Sequence, residues 1–332
     1  MRLFFDLTGY DDAHQEVWHR RLAQIARAGA TDVALVDDPD DADYILETTG
    51  RQSFLGGRVF TVSPDSHYHQ RPETTFGWDT GDFPTGRLPG LYCSLDRALF
   101  DPRRHRGFCY PLRYNSHIEA FSLEEADRLF GFCGSPSSAL RHRLFAELAP
   151  FAADQTALLQ KTTGVWTNLF GTPDAEAWKF YADILRRSRF FLCPRGNGLS
   201  SIRLFETMEA ARVPVILSDG LVLPVCVDWS RCAIIHPEND LPGLAAHLRA
   251  RESEWPQLAR NARAEWEKNF GDAHLLCTVA RELRAIVAAR VEPEGGRRFP
   301  GLPGVARRYA WTRFKSVVRF GQRTLRRGAA TA

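Results

Sequence analysis

Short apolar runs bounded by turn residues alternate along the chain with stretches of helical period. Arg2 to Leu7 is the first run and predicts a strand. His14 to Ala28 has helical spacing and stops at Gly29, the residue type that accepts positive φ just past a helix end. Asp32 to Val36, Asp43 to Leu46 and Arg58 to Val62 predict further strands. Ser63 to Tyr114 is rich in Pro, Gly, Asp, Arg and aromatic residues and shows little helical period, so a long functional loop is expected there.

The later part of the chain is more regular. Arg128 to Cys133 predicts a strand that runs into Gly134-Ser-Pro-Ser-Ser138, and Ser137 or Ser138 can cap a helix from Ala139 to Ala149. A strand at Ala157 to Gln160, a helix at Ala175 to Arg187 and a strand at Phe190 to Cys193 follow. A glycine-bearing loop then leads to a helix from Ile202 to Ala211 and a strand at Pro214 to Leu217. Helices at Leu241 to Ala250, Trp255 to Asn269 and Ala273 to Ala289 complete the series. Strand and helix in alternation imply α/β layers around parallel sheets. Pro293 to Gly296 and Pro300 to Gly304 read as a linker into a tail.

At 332 residues the chain suits two domains, and its 44% hydrophobic and 25% charged residues are ordinary for a globular protein. The seven cysteines are scattered and form no C-x-x-C pair, which fits free thiols in a reducing cytoplasm and offers no zinc spacing. Met1 to Leu7 is broken by Asp6 and does not read as a signal peptide, and no run reaches the ~18 apolar residues of a spanning helix. Charge is unevenly placed: Arg297 to Arg327 holds ten Lys or Arg and no acid, so removing these ten from the net +3 leaves the remainder at −7. An acidic body argues against nucleic acid, and the tail carries the basic character.

Chemistry is densest from Phe190 to Glu206. An apolar strand ends at Cys193, Pro194 stops it, and Arg195-Gly-Asn-Gly198 forms a loop before Ser200 or Ser201 caps the next helix. Ligands in open α/β sheets sit beyond the carboxyl ends of strands, at loops of this sort. The glycines allow close approach of an anion, and a helix start adds N–H donors and partial positive charge. Leu204, Met208 and Ala211 share one helix face, the expected core face, while Arg203 and Glu206 share another. Arg203 there can fork onto a diphosphate, and Glu206 can accept ribose hydroxyls. Arg and Glu at this spacing also occur as a solvated pair worth a few tenths of a kcal/mol, so the local pattern leaves both readings open.

At these residues the chain resembles the exostosin family of glycosyltransferases. The likeness runs through Cys193-Pro-Arg-Gly-Asn-Gly198, Ser201-x-Arg-Leu-Phe-Glu206, Pro214-Val-Ile-Leu-Ser-Asp-Gly220, Leu223-Pro224 and Asp228-Trp-Ser230. It is strongest over Arg189 to Arg231 and compatible out to Ala289. One departure is Glu209-Ala-Ala-Arg-Val-Pro214, where the family more often has a small residue and a glycine before the strand. The resemblance implies a GT-B architecture, with two Rossmann-like domains facing across a cleft, and inversion at the transferred sugar. Residues 1–122 would form the acceptor-side domain, 123–292 the sugar-nucleotide domain, and 293–332 a linker and basic amphipathic tail.

By the same resemblance Arg195 and Arg203 would contact the donor diphosphate and Glu206 the ribose, with Gly196, Asn197, Gly198 and Ser201 also at the donor, and Asp219 and Gly220 would line the cleft. Gly134 and Ser135 are expected at the phosphates from the other side, and Lys161 near the base. No metal or cofactor is implied, since arginines and a helix start take the leaving charge. The acidic doublets Asp11-Asp12, Asp37-Asp38 and Asp40-Asp41 read as solvated surface. A base for the acceptor hydroxyl is expected in the first domain's long loop, among Asp65, His67, His69, Asp79 and Asp82, with Asp82 favoured because Pro84 and the Leu88 to Tyr92 segment can hold it. Each of these residues also suits a turn that caps its own backbone, and the Arg103 to Arg106 run suits a solvated loop or, near the cleft, an anionic acceptor.

The expected function is transfer from a nucleotide sugar, a UDP-sugar foremost, to a glycan or lipid-linked glycan in cell-surface polysaccharide synthesis. The tail would hold the protein on the anionic inner face of the membrane. A fucosyltransferase-like enzyme using a GDP-sugar, or a non-catalytic glycan- or partner-binding protein, are the alternatives.

Overall fold

A computed structural model of the chain describes residues 1–29, 32–48, 62, 65–82, 84, 86–112, 115–162 and 175–294. The basic tail and most of the strand expected at Arg58 to Val62 lie outside the described residues.

Six parallel strands form the first sheet: β1 (Arg2–Asp6), β2 (Ala34–Leu35), β3 (Tyr44–Thr48), β4 (Thr75–Asp79), β5 (Gly90–Tyr92) and β6 (His105–Gly107), in the order β2-β1-β3-β4-β5-β6. Five more form the second: β7 (Arg128–Gly134), β8 (Ala157–Lys161), β9 (Ser188–Pro194), β10 (Val213–Leu217) and β11 (Ile234–Ile235), in the order β11-β10-β9-β7-β8. Counted from its own first strand, each sheet runs 2-1-3-4-5, and the first adds a sixth. The topology repeats although the sequence does not.

The segment expected to be a long loop holds three of these strands. β4 is buried at every position, and β5 and β6 have only three residues each. Strands buried on both faces show no alternation of apolar and polar residues, so the pattern is silent there. Gly90 has φ +147°, and a Cβ on it would lie 2.7 Å from the Gly77 nitrogen, so glycine is what lets β5 pair with β4.

The helices fall close to the predicted spans. α1 (Asp12–Ala28) starts on the Asp11 side chain, which accepts the His14 N–H, and buries Trp18, Arg21, Leu22 and Ile25. Gly29 ends it in extended backbone at φ −86°, not in the left-handed region expected of it. α2 (Ala139–Glu147) is capped by Ser138 as predicted, and Pro150 lies in a separate short helix, α3 (Ala149–Ala153). α4 (Ala175–Arg187), α5 (Arg203–Glu209), α6 (Leu244–Ala250) and α7 (Trp255–Asn269) pack around the second sheet. α8 (Leu275–Ala288) crosses back, and its Leu275, Val279, Leu283 and Ile286 share one core with Leu3, Phe5, Trp18 and Ile25. Ion pairs follow the same route, with Arg21 to Asp272 at 2.7 Å and Arg106 to Glu282 at 3.3 Å.

Carboxyl ends of the two sheets face each other. The loop after β5 meets the loop after β10 through Arg97 N–H to Gly220 O at 2.8 Å and Val222 N–H to Leu95 O at 3.1 Å. Phe270, just after α7, stands edge-on to Phe108 of the first unit and Phe205 of the second, at 5.9 and 5.2 Å between ring centres. Two Rossmann-like units opposed in this way are the GT-B arrangement that the resemblance implies.

Candidate functional site

β7 and β9 lie side by side in the second sheet, and the chain leaves them toward opposite edges. Such a switch point opens a crevice at the carboxyl ends of the two strands. The loops that leave there are Gly134 to Ser138, after β7, and Arg195 to Ile202, after β9.

Arg203 stands between them. Its Nε donates to Cys133 O at 2.7 Å, and its guanidinium lies over the Phe132 and Tyr181 rings at 5.4 and 5.8 Å. A Cβ on Gly134 would come 2.7 Å from Nη2, so the glycine is required for Arg203 to reach this place. Glu206 is also buried, and its Oε2 accepts the Tyr181 hydroxyl at 2.6 Å. Burial pushes the Glu206 carboxyl up, while the Tyr181 hydroxyl and the Arg203 charge pull it down. The two residues are neighbours on α5, as expected, but on a buried face and not an outward one. All seven residues of α5 are buried, and Phe132 of β7 and Tyr181 of α4 cover the side that the apolar pattern leaves polar. A narrow crevice of about 30 Å³ opens beside Glu206, lined by Tyr110, Asn115, Ile118, Ile202 and Phe205.

The expected serine cap of α5 is absent: its cap residue is Ile202, with no side-chain capping bond, and the Ser201 hydroxyl is buried with no hydrogen-bond partner among the described residues. Amides of the loop are held from across the interface. Ser94 Oγ, after β5, accepts Leu199 N–H at 2.7 Å and Ser200 N–H at 3.1 Å. A Cβ on Gly198 would fall 2.6 Å from that oxygen and 2.7 Å from the Asp82 Cα, which accounts for the glycine. Asp82 is open to solvent by surface area but crowded by protein atoms, as befits the lip of a crevice; the first property governs access and the second proton affinity. Burial raises its carboxyl, and the Gly198 N–H, the Arg141 charge and the Asn197 amide each oppose that rise.

The other predicted residues sit around this centre. Arg195 is half-buried, and its Nε pairs with Glu238 Oε2 at 2.7 Å. Glu238 Oε1 also accepts the Asp219 N–H at 3.1 Å, while Asp219 is exposed. Gly220 sits against Leu199. Gly196 is buried and Asn197 exposed. Ser135 carries its carbonyl toward Arg141, and Lys161 is exposed at the end of the edge strand β8, in register with Gly134. Among the remaining base candidates, Asp65 and His69 are exposed, and the Asp79 carboxylate accepts the Gly81 N–H at 2.8 Å. His67 Nε2 lies 3.7 Å from Asp6 Oδ2, at the switch point of the first sheet.

Four participants escaped the sequence reading. Arg141 and Tyr181 sit on the buried faces of α2 and α4, where a polar side chain among apolar ones is the signal that was there to be read. Ser94 and Glu238 reach the site only through tertiary contact, and nothing in their local sequence marks them.

The Exostosin GT47 domain matches residues 123–251. Over these residues the chain is similar to the exostosin family of glycosyltransferases. The Exostosin-1 homolog of Caenorhabditis elegans is 37% identical over 92 residues, covering 26% of this chain and 24% of that protein. Exostosin-1b of Danio rerio is 32% identical over 106 residues, covering 31% of this chain and 14% of that one. The chain thus spans at most about a quarter of the length of these curated relatives. Among solved structures, TarM aligns at 8% identity and TM-score 0.38, over 73% of this chain and 54% of its own. Anabaena Alr3699/HepE in complex with UDP aligns at 12% identity and TM-score 0.41, over 87% and 100%. At these scores the fold rests on the strand order, not on either likeness.

Proposed function

We propose that the chain is an inverting, metal-independent glycosyltransferase that moves a sugar from a nucleoside diphosphate sugar to a glycan acceptor. The observation that carries this reading is the placement of Arg203 and Glu206, side by side and buried, at the switch point of the second sheet within the exostosin domain. A guanidinium between the glycine loops suits a diphosphate, and a carboxylate facing the adjacent crevice suits ribose hydroxyls. Arg195, already paired with Glu238, takes the outer phosphate in this reading, with Gly134, Ser135 and Gly196 leaving room for it. Asp219, Gly220 and Asn197 line the opening, and Lys161 stands toward the base.

Asp82 acts as the base. Its support is position: it lies on the first unit, opens to solvent, and touches the donor loop at Gly198. One displacement inverts the sugar: the acceptor oxygen gives its proton to Asp82 and bonds to the anomeric carbon. The bond to the nucleotide breaks, and the nucleoside diphosphate leaves with the electron pair.

UDP is the leaving nucleotide in this reading, GDP its competitor, and cell-surface polysaccharide the destination. All seven cysteines are free thiols, which supports a cytoplasmic setting, and the basic tail supports attachment to anionic membrane. No helix among the described residues is long and apolar enough to cross a membrane. The test incubates the purified chain with a panel of nucleotide sugars, with and without a chelator, and follows binding and nucleotide release. Release that survives chelation is expected. Binding without release to any of several glycan acceptors would make the chain a non-catalytic member instead.

A further inference from the structure

We propose that Arg141 is a donor-binding residue, a further guanidinium that meets the diphosphate between the Ser135–Ser138 loop and the Gly196 loop. The assignment rests on the nucleotide-donor reading above. Arg141 lies in the first turn of α2 and is 6% exposed. Its Nε and Nη2 both donate to Pro194 O, at 3.3 and 3.0 Å, and its Nη1 reaches Ser137 Oγ at 3.3 Å and Ser135 O at 3.5 Å. All of these acceptors are neutral. Among the described residues no carboxylate lies within ion-pair distance of it.

Its strongest charged neighbour has the same sign. The Arg141 and Arg203 guanidiniums lie over one ring, Phe132, at 5.6 and 5.4 Å from its centre. Burial first, and then the Arg203 charge, pull Arg141 down to about 9, with Asp82 opposing. Arginine keeps its proton in proteins, so the Arg141 charge stays in place in this buried position. Arg141 has only neutral acceptors in reach and a second guanidinium over the same ring, an arrangement that an arriving diphosphate would relieve. Gly196 keeps the approach clear, since a Cβ there would stand 3.4 Å from Arg141 Nη2.

Arg212 shows what a structural arginine looks like in the same domain. It too is buried and is pulled down to about 10 by burial, yet its donors are distributed over four carbonyl oxygens, of Phe121, Ser122, Arg186 and Ala211. It pins the segment between the two sheets to the end of α4, away from the switch point.

Calorimetry with UDP, UMP, uridine and inorganic pyrophosphate tests the assignment on wild type, Arg141→Gln and Arg141→Lys, with circular dichroism to establish folding. Wild type should bind UDP and pyrophosphate. Arg141→Gln should weaken both at least tenfold while changing uridine less than threefold, and Arg141→Lys, which keeps the charge without the fork, should fall between. If Arg141→Gln does not fold, Arg141→Lys alone decides, with threefold or more on UDP expected. Equal losses for UDP and uridine, or UDP binding within threefold of wild type, overturn the assignment and leave the donor reading standing. Arg141-dependent binding without sugar transfer overturns the transferase reading alone, and a wild type that binds none of the four ligands overturns both.

Discussion

The Ser94 hydroxyl, from the first unit, holds the Leu199 amide of the second at 2.7 Å and the neighbouring Ser200 amide at 3.1 Å. These are the amides that the glycine loop would otherwise offer to an anion, and a neutral oxygen from the opposing unit occupies them. In the proposed function, recognition of a diphosphate then falls to side chains; the glycine loop itself is tied to the first unit.

Ser94→Ala should leave two buried amides without their acceptor and lower stability by about 1–3 kcal/mol, measured by urea unfolding. Donor KM should rise severalfold with a smaller change in kcat, because the loop loses its place and not its charge. A tighter donor complex in this variant would mean that the freed amides are themselves phosphate ligands, contrary to the side-chain reading.

Asp82→Asn should keep nucleotide affinity and abolish transfer. Its pH behaviour follows from the upward shift: a base must be ionised to act, and burial holds this carboxyl above the ordinary aspartate range near pH 4. Activity in kcat/KM should accordingly fall off on the acid side at a higher pH than an ordinary aspartate would give. If Asp82→Asn retains most of the rate, the base lies elsewhere, and His67 beside Asp6 is the next residue to replace.

Ala211 has φ +55°, and the following Arg212 N–H returns to Thr207 O at 3.0 Å, which is the closing turn of a helix that favours glycine. Ala211→Gly should raise stability by about 0.5–1 kcal/mol, the left-handed penalty being partly offset by the greater freedom of unfolded glycine. A lower melting temperature would show that the Ala211 methyl packs for more than its backbone strains.

The second unit was the more legible of the two for reasons visible in single elements. β7 and β9 run seven residues each and stand between regular helices, so apolar length and caps such as Ser138 mark them. β5 and β6 are three residues long and owe their place to close backbone approach at Gly90 and Gly107, which no period records. β11, two residues, went unseen for the same reason. At the site, motif spacing placed Arg203 and Glu206 together. It could not show that the face carrying them is buried, because the cover comes from Phe132 on β7 and Tyr181 on α4, elements that tertiary packing brings over α5.

Where the chain leaves the folded body bears on membrane attachment. Arg104 grips Glu294 at 2.9 Å, Tyr68 donates to the same carboxylate at 3.1 Å, and Glu73 pairs with Arg290 at 2.9 Å. The basic stretch therefore starts from a fixed point on the first unit. A chain ending at Glu294 keeps this clamp and should lose most of its binding to vesicles containing phosphatidylserine, since basic residues near such a surface contribute about 1 kcal/mol each. Co-sedimentation of both forms, at low and high salt, measures it; equal binding would place the membrane contact on the body or nowhere.

Arg203 and Glu206 should fail differently when replaced, and the difference follows from their surroundings. Negative charge grows on the leaving diphosphate as the sugar departs, so a guanidinium aimed there does more for the transition state than for the bound donor. Arg203→Ala should lower kcat by a larger factor than it raises the donor Kd. Glu206 meets hydroxyls that are the same in both states, so Glu206→Ala should chiefly weaken donor binding, by about 1.5–3 kcal/mol for a lost charge-assisted bond. Glu206→Gln should be milder, since an amide oxygen can still accept. Tyr181 extends the test: its hydroxyl holds Glu206 Oε2 at 2.6 Å, and Tyr181→Phe removes a group that keeps the buried carboxyl from rising further. That variant should weaken donor binding, most strongly at low pH, where Glu206 takes up a proton sooner than in wild type. Steady-state kinetics and calorimetric donor binding on folded variants distinguish these patterns. If all of them leave both quantities within about twofold of wild type, the pair serves packing alone and the donor binds at another place.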